Sequence, residues 1–507
     1  MFEPLEPLAP DSILGVTIAY RRDTSPLKVD LGVGVYRDDS GNTPVPAAVR
    51  EAERALIGAQ TTKSYVGPAG NLEFNERIIA LALGPLAAGL ADRTSTIQTV
   101  GGCGALRLGA ELVKVARPDT VVHVSDPTWA NHEPLIGSSG MRLERYPYFD
   151  AARRAVAFDA MLSHIDQLPA ASLVLLHACC HNPTGADLSP DQWQELAAVI
   201  ERRGLVPFVD LAYQGFGDGL DADAVGLRTL AGRVPELLLA VSCSKNFGLY
   251  RERTGALAVL SANSVSRTAV ATHQARLARR MYSMPPDHGA AIVARVLADA
   301  SLRQHWAEEV GSMVARMKSL RALFAARLTA RLPGHDFGWV TRQRGMFSLL
   351  GLPETDIARL RDEHHIYMPP DGRVNVGESG IVTFGKYDIS MEEFAAQLVK
   401  EGTIQQWFRA EGESIAAGDP LFEVETEKVL YEVEAQADGV VAIILYPVES
   451  VVPVGTVVAV LAEAGEDPAA VASGYERVSV GLQPTAPAAA AAAEEPVRPK
   501  RTPAPAE

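Results

Sequence analysis

Five side chains of this sequence could act together on one ligand. Lys245 offers an amine, Asp210 a carboxylate and Trp129 a flat aromatic face. The amine could form a Schiff base once burial and neighbouring cations lower its pKa, and the carboxylate could hold a protonated ring nitrogen. Tyr213 and Asn182 could donate hydrogen bonds to an oxygen on a ring that stacks on the indole. These side chains suit a ligand that combines a carbonyl group with a protonated heteroaromatic ring.

A second group of residues could bind a phosphate dianion. Arg253 offers a guanidinium, Ser242 a hydroxyl, and a helix that opens at residues 101–105 offers free backbone N–H groups. An amine, an acid for a pyridinium nitrogen, a stacking face and a phosphate cradle together describe a pyridoxal phosphate site. The glycine pair Gly32 and Gly34 gives only weak support for a dinucleotide site, because no acidic residue follows where such a site needs one.

The polar segments that carry these residues follow short apolar runs, which are predicted strands. The runs cover residues 120–124, 172–177, 205–209 and 236–241. Helical patterns alternate with them, for example over 191–203, 265–280 and 302–332, the last of which we expect to be broken or bent. This alternation is typical of a parallel sheet covered on both faces. Because ligands bind beyond the carboxyl ends of such strands, the polar segments should converge on one crevice.

Composition and charge limit the class of protein. The chain has 507 residues, of which 47% are hydrophobic and 21% charged, as in an ordinary soluble protein of roughly three domains. The formal charge of -15 disfavours nucleic acid and anionic membranes as partners, and the apolar runs are far shorter than a membrane helix. The cysteines show neither a metal-binding spacing nor a disulfide framework, and we recognise no signal peptide. We therefore expect a cytoplasmic protein without a metal site. Cys179 and Cys180, as adjacent strand residues, are expected to point to opposite faces and to pack.

Residues 1–376 resemble the class I, fold-type I pyridoxal-phosphate enzymes, the aspartate and aromatic-amino-acid aminotransferases. The resemblance is carried by DLGVGVYRDDSGNTPVP from Asp30, TTKSYVGPAG from Thr61, DPTWANH from Asp126, HACCHNPTG from His177, FVDLAYQGF from Phe208, SCSKNFGLYRERTG from Ser242, GMFS from Gly345 and GRVNVG from Gly372. It implies an α/β fold over residues 1–380. A large cofactor-binding domain with a mostly parallel sheet would cover about 45–310, and a smaller α+β domain would combine 1–44 with 311–380.

The resemblance also implies roles for individual residues. Lys245, Asp210 and Tyr213 would be catalytic, with Lys245 acting as nucleophile and general base, and Asp210 keeping the ring nitrogen protonated. The cofactor-binding residues would be Tyr65, Gly101, Gly102, Cys103, Trp129, His132, Asn182, Asp210, Tyr213, Ser242, Lys245 and Arg253. The substrate-binding residues would be Gly34, Trp129, Asn182, Arg279, Ser283 and Arg373.

Two arginines and one tyrosine carry the implied substrate specificity and assembly. Arg373 would bind the α-carboxylate with its planar fork, and Arg279 would bind the side-chain carboxylate of the substrate. In the family, the residues corresponding to Tyr65 and Arg279 come from the neighbouring subunit. The resemblance therefore implies a homodimer with shared active sites.

The expected reaction is transfer of an amino group from aspartate to 2-oxoglutarate, which gives oxaloacetate and glutamate. Preference for aromatic amino acids is the alternative. Met281 and Met284 replace polar residues near the substrate entrance, which favours larger substrates, whereas Val35 and Thr43 resemble the dicarboxylate-specific members. Cys103 stands where the family usually has Thr or Ser, so one hydrogen bond to the phosphate should be weaker.

Residues 401–466 resemble an all-β lipoyl carrier domain of 2-oxo acid dehydrogenase acyltransferases. The matching stretches are EGTIQQW from Glu401, GDPLFEVETEKVLYEVEA from Gly418 and ADGVVAIILY from Ala437. Lys428 lies between two short β-runs, where a ligase could attach lipoate. Glu427 and Val429 flank it, whereas a biotin carrier would have methionines there. The alternatives are an unmodified lysine, or a carrier that uses the aminotransferase half as a scaffold, with lipoate ligase or 2-oxo acid dehydrogenase components as partners.

Two regions flank this module, residues 381–400 before it and residues 467–507 after it. Both modules could claim residues 381–400, because 382–393 resemble a first lipoyl strand whereas Ser390 and Glu393 form a capping box for a helix from Met391 to Lys400. Residues 467–507 are rich in Ala and Pro. They are predicted to form a disordered, flexible tail, because they cannot bury enough apolar area to offset their ordering entropy.

Overall fold

The apolar runs predicted as strands form the central sheet of the first of two units. The structure, a computed structural model, describes residues 2, 5–7, 12–26, 28–331, 336–377, 401–426, 429–435, 437–453, 457–462 and 466–475. The chain divides into one unit up to residue 398 and a second from residue 399. The strands of the first unit are β1 (Val29–Asp30), β2 (Thr94–Val100), β3 (Val121–Asp126), β4 (Arg142–Pro147), β5 (Phe149–Asp150), β6 (Ala155–Val156), β7 (Leu173–His177), β8 (Val206–Leu211), β9 (Leu237–Ser242), β10 (Thr254–Leu260), β11 (Phe347–Leu349), β12 (Ile366–Tyr367) and β13 (Arg373–Asn375).

The helices of this unit follow the predicted helical patterns to within a few residues where such patterns were identified. They are α1 (Ser12–Arg22), α2 (Ala47–Ala59), α3 (Leu72–Leu83), α4 (Ala87–Leu90), α5 (Gly101–Ala116), α6 (His132–Gly137), α7 (Phe158–Ile165), α8 (Pro190–Arg203), α9 (Val225–Ala231), α10 (Ser264–Met281), α11 (Asp287–Ala298), α12 (Ala300–Arg331), α13 (Gly338–Arg342) and α14 (Glu354–His364). Sequence signals explain their ends. In α8, for example, Ser189 and Gln192 form a capping box and Gly204 ends the helix in a left-handed conformation.

Seven strands form the large sheet, in the order β2-β10-β9-β8-β7-β3-β4. All neighbours from β9 to β4 are parallel, and β10 is antiparallel to both β2 and β9. The expected mostly parallel sheet is therefore confirmed. Alternate residues of the strands enter two apolar clusters, one on each face of the sheet, which is why the strands read as continuous apolar runs.

A smaller domain has its own apolar core. The parallel pair β1 and β12, the antiparallel pair β11 and β13, helix α14 and the end of α12 supply this core. Trp306 and Val310 near the start of α12 belong to the core of the large domain, whereas Phe324 and Leu328 belong to that of the small domain. Helix α12 is one uninterrupted element of 32 residues whose sequence contains no proline. Of the expected break or bend, the break is therefore wrong, and the bend stays a prediction.

One helical stretch, Leu72–Arg93, meets the length and hydropathy requirements of a membrane span. Phe74 and Ile78 in this stretch are buried in the core of the large domain. Core helices of globular domains meet the same requirements.

The second unit is all-β apart from one short helix. Its strands are β14 (Glu401–Trp407), β15 (Ser414–Ile415), β16 (Pro420–Thr426), β17 (Val429–Glu434), β18 (Gly439–Ile444), β19 (Val451–Pro453) and β20 (Ala459–Ala462). They form an antiparallel four-stranded sheet, β17-β16-β14-β19, and an antiparallel three-stranded sheet, β15-β18-β20. Ile404, Phe422 and Val441 lie in their shared core. The predicted all-β carrier fold is confirmed.

The C-terminal boundary differs from the expectation that a tail begins at residue 467. Asp467 caps a helix, α15 (Pro468–Ala472), by accepting a hydrogen bond from the Ala469 N–H at 3.1 Å. This helix packs against β18 and β20, so the carrier domain extends to about residue 475. Residues 381–400, Glu427, Lys428 and 476–507 lie outside the described residues, and the predictions for them stay predictions.

The two adjacent cysteines lie beyond the end of β7, not within it. Cys180 has a φ of 52°, and the sulfur atoms of Cys179 and Cys180 lie within 4.8 Å of each other. The expectation that they point to opposite faces is therefore wrong, because strand alternation does not apply to a left-handed residue. Both are buried, in keeping with a packing role.

Candidate active site

The four polar segments meet at one cavity of about 280 Å³, beyond the carboxyl ends of the parallel strands. The predicted site residues that line it are Gly34, Gly102, Cys103, Trp129, Asn182, Asp210, Tyr213, Ser242, Lys245, Arg253 and Arg373. Asp210 pairs with His177 in the register of β7 and β8, and Lys245 follows the end of the next strand, β9. The strand order thus brings the acid and the amine to the same edge of the sheet.

Asp210 is a buried carboxylate with a histidine partner. Its Oδ2 lies 3.2 Å from His132 Nε2, and His132 Nδ1 lies 2.8 Å from Thr128 Oγ1. Burial alone would raise the pKa of Asp210, but the hydrogen bond to His132 and the electrostatic effects of His132, His177 and Lys245 lower it below its ordinary value. The carboxylate therefore stays ionised and can accept a hydrogen bond from a protonated ring nitrogen.

Lys245 and Tyr213 face each other inside the cavity. The Lys245 Nζ lies 4.7 Å from the centre of the Tyr213 ring. Burial lowers the pKa of Lys245, and the charges of Arg253 and Arg373 act in the same direction, against the effect of Asp210. Burial raises the pKa of Tyr213, so its hydroxyl keeps its proton and can donate it in a hydrogen bond.

Arg373 also lines the cavity and is almost fully buried, at 3% exposure. Its Nη1 donates to Asn182 Oδ1 at 3.1 Å, and its Nη2 donates to the Gly32 carbonyl at 2.9 Å. The Asn182 amide also hydrogen bonds to Tyr213. The Nε of Arg373 is buried and has no partner among the described residues, which leaves a donor for an anionic ligand.

The loop that carries Gly34 is held from both sides. Asp30 Oδ1 accepts from the N–H groups of Gly32 and Val33 at 3.0 and 3.3 Å. The Asn375 side chain donates to the carbonyls of Val33 and Val35 at 2.6 and 2.8 Å. These contacts fix Gly34 at the wall of the cavity.

The start of α5 forms the proposed phosphate cradle. No side chain caps this 16-residue helix, so its first N–H groups are available to an anion. Gly101 has a φ of 68°, and a Cβ there would lie 2.7 Å from Arg253 Nη2. A Cβ on Gly102 would lie 3.1 Å from the Cβ of Ser242. The two glycines therefore let Arg253 and Ser242 approach the helix start, which is an arrangement that fits a phosphate group.

Five predicted residues do not line the cavity of their own chain. Gly101 and His132 lie directly behind the lining residues Arg253 and Asp210. The other three are Tyr65, Arg279 and Ser283. Tyr65 is 90% exposed, and Arg279 is exposed at the end of α10, where it donates to Ser283 Oγ. The resemblance places Tyr65 and Arg279 in a neighbouring subunit's site, and one chain does not test this.

The cavity is also lined by residues that the sequence analysis did not identify, namely Leu106, His177, Ala212, Ser244, Tyr250 and Phe347. His177 ends a predicted strand, and that position was the available signal. Burial lowers its pKa to about 3, so it is a neutral neighbour of Asp210. Phe347 stands in the matched GMFS stretch, but local pattern gave no reason to place it at the cavity.

Two groups of side chains are spaced closely enough to hold a metal ion, because their ligand atoms lie within 4.8 Å of one another. One group is His132, His177 and Asp210, and the other is Cys179, Cys180 and Asp223. Three of these six side chains have other partners, because His132 and Asp210 are hydrogen bonded to each other and Asp223 accepts from three N–H groups. The absence of a metal site stays a prediction.

Known proteins match most of the chain. Residues 26–385 match the family described as "Aminotransferase class I and II", and residues 394–461 match that described as "Biotin-requiring enzyme". The aromatic-amino-acid aminotransferase of Paracoccus denitrificans is 46% identical over 377 residues, which are 74% of this chain and 95% of that protein. The aspartate aminotransferase of Escherichia coli is 41% identical with the same coverage of both chains.

A solved structure shares the fold. The aromatic-amino-acid aminotransferase of Burkholderia pseudomallei, described as covalently bound to pyridoxal phosphate, is 39% identical. The match has a TM-score of 0.73 and covers 78% of this chain and 98% of that one. The chain therefore belongs to the class I and II aminotransferase family and carries a biotin/lipoyl-type domain after it.

Proposed function

We propose that this protein transfers amino groups between amino acids and 2-oxo acids with pyridoxal phosphate, and that aspartate and 2-oxoglutarate are its substrates. The observation that carries the proposal is the cavity in which Lys245 and Asp210 lie together, with Arg253 and Arg373 also on its wall. These groups match the aldehyde, ring nitrogen and phosphate of the cofactor and the α-carboxylate of the substrate.

The bound cofactor supplies a protonated ring that withdraws the electrons left on the substrate α-carbon when its proton is removed. The chain's own residues supply the rest. Asp210 would hold the proton at the ring nitrogen, and Tyr213 and Asn182 would donate to the ring oxygen. Lys245 would hold the cofactor through its amine and, once the substrate amine has taken its place, would move the proton of the substrate α-carbon as the general base.

Arg373 binds and orients the substrate. Its buried guanidinium provides a planar fork for the α-carboxylate, and its bonds to Asn182 and Gly32 hold that fork in place. Gly34 leaves room for the substrate, because a side chain there would approach the Phe347 ring. Transfer out of water strengthens these charged contacts.

We also propose a homodimer in which Tyr65 and Arg279 complete the neighbouring site. Both are exposed in the single chain, although a phosphate and a second carboxylate are the ligands that the resemblance assigns to them. Arg279 would then favour dicarboxylic substrates.

Aromatic substrates are the second candidate. Three relatives named as aromatic-amino-acid or tyrosine aminotransferases are 46–47% identical, against 41–42% for four named as aspartate aminotransferases, and one further tyrosine aminotransferase is 40% identical. Trp129, Phe347 and Leu106 also give the cavity an apolar wall. The ratio of kcat/KM for aspartate to kcat/KM for phenylalanine, measured in wild type and in Arg279→Ala, decides between the two candidates. A ratio that favours aspartate in wild type and falls sharply in the variant supports our proposal. A ratio that favours phenylalanine in both proteins overturns it.

Replacement of Lys245 tests the reaction itself. Lys245→Ala should lose the aspartate-dependent shift of the cofactor's visible absorbance and at least ~10³-fold in kcat. Lys114→Ala is the matched control, because Lys114 only donates to the carbonyls of Pro118 and Gly140 at the surface. Unchanged transamination in Lys245→Ala would refute the proposal.

For the second unit we propose lipoate attachment at Lys428. Thr426 and Val429 are paired in the register of β16 and β17, so Glu427 and Lys428 are the two residues that connect these strands. A lipoate ligase should add one lipoyl group to wild type and none to Lys428→Arg, as read by intact mass. Biotin addition by a biotin ligase, with no lipoate addition, would instead assign the domain to biotin.

A further inference from the structure

Helix α12 carries a buried arginine whose hydrogen-bond acceptors are all uncharged. Arg321 is 2% exposed. Its Nη1 donates to the Val340 carbonyl at 3.0 Å and to Ser348 Oγ at 2.7 Å. Its Nη2 donates to the carbonyls of Arg344, Gly345 and Phe347 at 3.2, 3.0 and 2.6 Å. Burial of a cation costs free energy because the charge loses its hydration, and these hydrogen bonds to one segment offset that cost. Such an arrangement calls for a functional explanation.

That segment, residues 340–348, carries Phe347 into the active-site cavity. The Phe347 ring centre lies 4.2 Å from the Arg373 guanidinium and 6.2 Å from the Tyr213 ring centre, edge to face. A Cβ on Gly34 would lie 3.3 Å from the tip of the same ring. Phe347 therefore contacts the carboxylate-binding arginine, the catalytic tyrosine and the glycine at the substrate wall.

The other side of the segment is packed without space against the loop that carries Asn182. The Arg344 N–H donates to the Gly185 carbonyl at 2.7 Å. A Cβ on Gly185 would lie 2.2 Å from the Phe347 carbonyl oxygen, and one on Gly345 would lie 2.4 Å from the Cβ of Cys180. The segment is thus clamped between this loop and the Arg321 guanidinium.

We infer that Arg321 is a positioning residue for substrate binding: it fixes the backbone of residues 344–348 so that Phe347 supports Arg373 where the substrate carboxylate binds. Arg321 does not line the cavity, so it acts through Phe347 and not on the cofactor. The inference rests on the proposed function, because it takes Arg373 as the carboxylate-binding group.

Arg321→Lys keeps the charge but cannot reach five acceptors with one ammonium group. We expect KM for aspartate and the dissociation constant of succinate to rise about tenfold. The kcat, the cofactor's absorbance spectrum and its affinity should stay within about threefold of wild type. Arg303→Lys, an exposed position on the same helix, is the matched control and should leave all four quantities unchanged.

Two further variants keep the inference testable if Arg321→Lys folds poorly. Ser348→Ala removes one acceptor and should raise KM about threefold without changing kcat. Phe347→Leu should reproduce the KM increase, and adding Arg321→Lys to it should change KM little further, because both act through one contact.

The outcomes separate this inference from the proposed function. If wild type does not transaminate, the proposed function fails. If wild type transaminates, three results would show that Arg321 has only a structural role and that the inference is wrong. In the first, Arg321→Lys and Ser348→Ala leave KM unchanged. In the others, these variants lower kcat together with cofactor affinity, or their effect on KM adds fully to that of Phe347→Leu.

Discussion

Asp210 shows how a buried carboxylate is kept charged at the level of a single residue. Its burial opposes ionisation, and the hydrogen bond to His132, itself bonded to Thr128, outweighs that opposition. The same logic applies to Lys245, whose amine loses its proton more easily because it is buried near two arginines. The acid and the amine are therefore shifted in the directions that their proposed roles require.

Replacing Asp210 by Asn should lower kcat roughly 10²–10³-fold, because the ring nitrogen loses the charge that holds its proton. Steady-state kinetics with aspartate and 2-oxoglutarate measure this. Asp191→Asn, in the exposed first turn of α8, is the control. A variant that keeps more than about a tenth of the wild-type kcat would contradict the role assigned to Asp210.

Replacing Arg373 by Lys should raise KM for both substrates about 30–100-fold, since an ammonium cannot reproduce the planar fork. Initial rates over a range of substrate concentrations test it, with the surface variant Arg202→Lys as control. Arg202 is exposed, donates to Asp166 and does not line the cavity. Equal KM values in Arg373→Lys and wild type would show that the carboxylate binds elsewhere.

At the level of elements, the approach of one strand end and one helix start creates the proposed phosphate cradle. The positive φ of Gly101 and its contact with Arg253 leave no room for a side chain. Asp187 has a comparable role in the turn after β7, where it accepts from the N–H groups of Cys180 and His181 at 2.6 and 2.8 Å. These backbone contacts hold the turn in which Asn182 lies.

Gly101→Ala should weaken pyridoxal phosphate binding to the cofactor-free protein by about 10–100-fold, because the new methyl group displaces Arg253 and strains the left-handed backbone. A cofactor titration followed by absorbance measures the dissociation constant. Gly89→Ala is the control, since a Cβ there meets nothing within 4 Å. Unchanged affinity in Gly101→Ala would place the phosphate away from this helix.

Asp187 should make folding stability depend on pH in one direction. Burial raises its pKa to about 6, above its ordinary value of 3.8. Between these two values the folded protein binds more protons at this group than the unfolded chain does, so its contribution to stability falls as pH rises through the window. The free energy of unfolding of wild type relative to Asp187→Asn should be about 1 kcal/mol larger at pH 5 than at pH 7, which means that wild type is relatively more stable at pH 5. Urea unfolding at both pH values tests this, and an equal difference at both would exclude a raised pKa.

At the level of the whole molecule, the single chain leaves two predicted site residues exposed and contains a second unit with a carrier-type fold. Tyr65 and Arg279 do not reach the cavity of their own chain, so a complete site needs a second copy if the proposed homodimer is correct. The carrier unit has its own apolar core and its own two sheets. Nothing in that core requires the aminotransferase unit.

Mixing Lys245→Ala with Arg279→Ala subunits tests the shared sites. Each variant alone should be nearly inactive toward aspartate, but random mixed dimers contain one intact site, which should restore about a quarter of the wild-type activity after subunit exchange. Mixing Lys245→Ala with Asp210→Asn, both in the same chain's cavity, should restore nothing. No recovery in the first mixture would mean that Arg279 does not act across subunits.

The order of the site residues along the chain and their placement at strand ends could be read from the sequence. The runs before Trp129, Asn182, Tyr213 and Lys245 are mostly apolar because both faces of the sheet are covered, and the observed strands match them to within a residue or two. Parallel strands bring their carboxyl ends to one edge, so the meeting of Lys245 with Asp210 followed from the pattern.

Only the tertiary structure decided which distant segments complete the cavity. Phe347 and Tyr250 reach it, Arg321 clamps the segment that carries Phe347, and the left-handed Cys180 brings two sulfur atoms to the same side. Periodicity reports which face of an element is buried, but it does not report what packs there. Contacts between residues that lie more than a hundred positions apart in the chain depend on how the small domain packs against the large one. Local sequence patterns do not predict that packing.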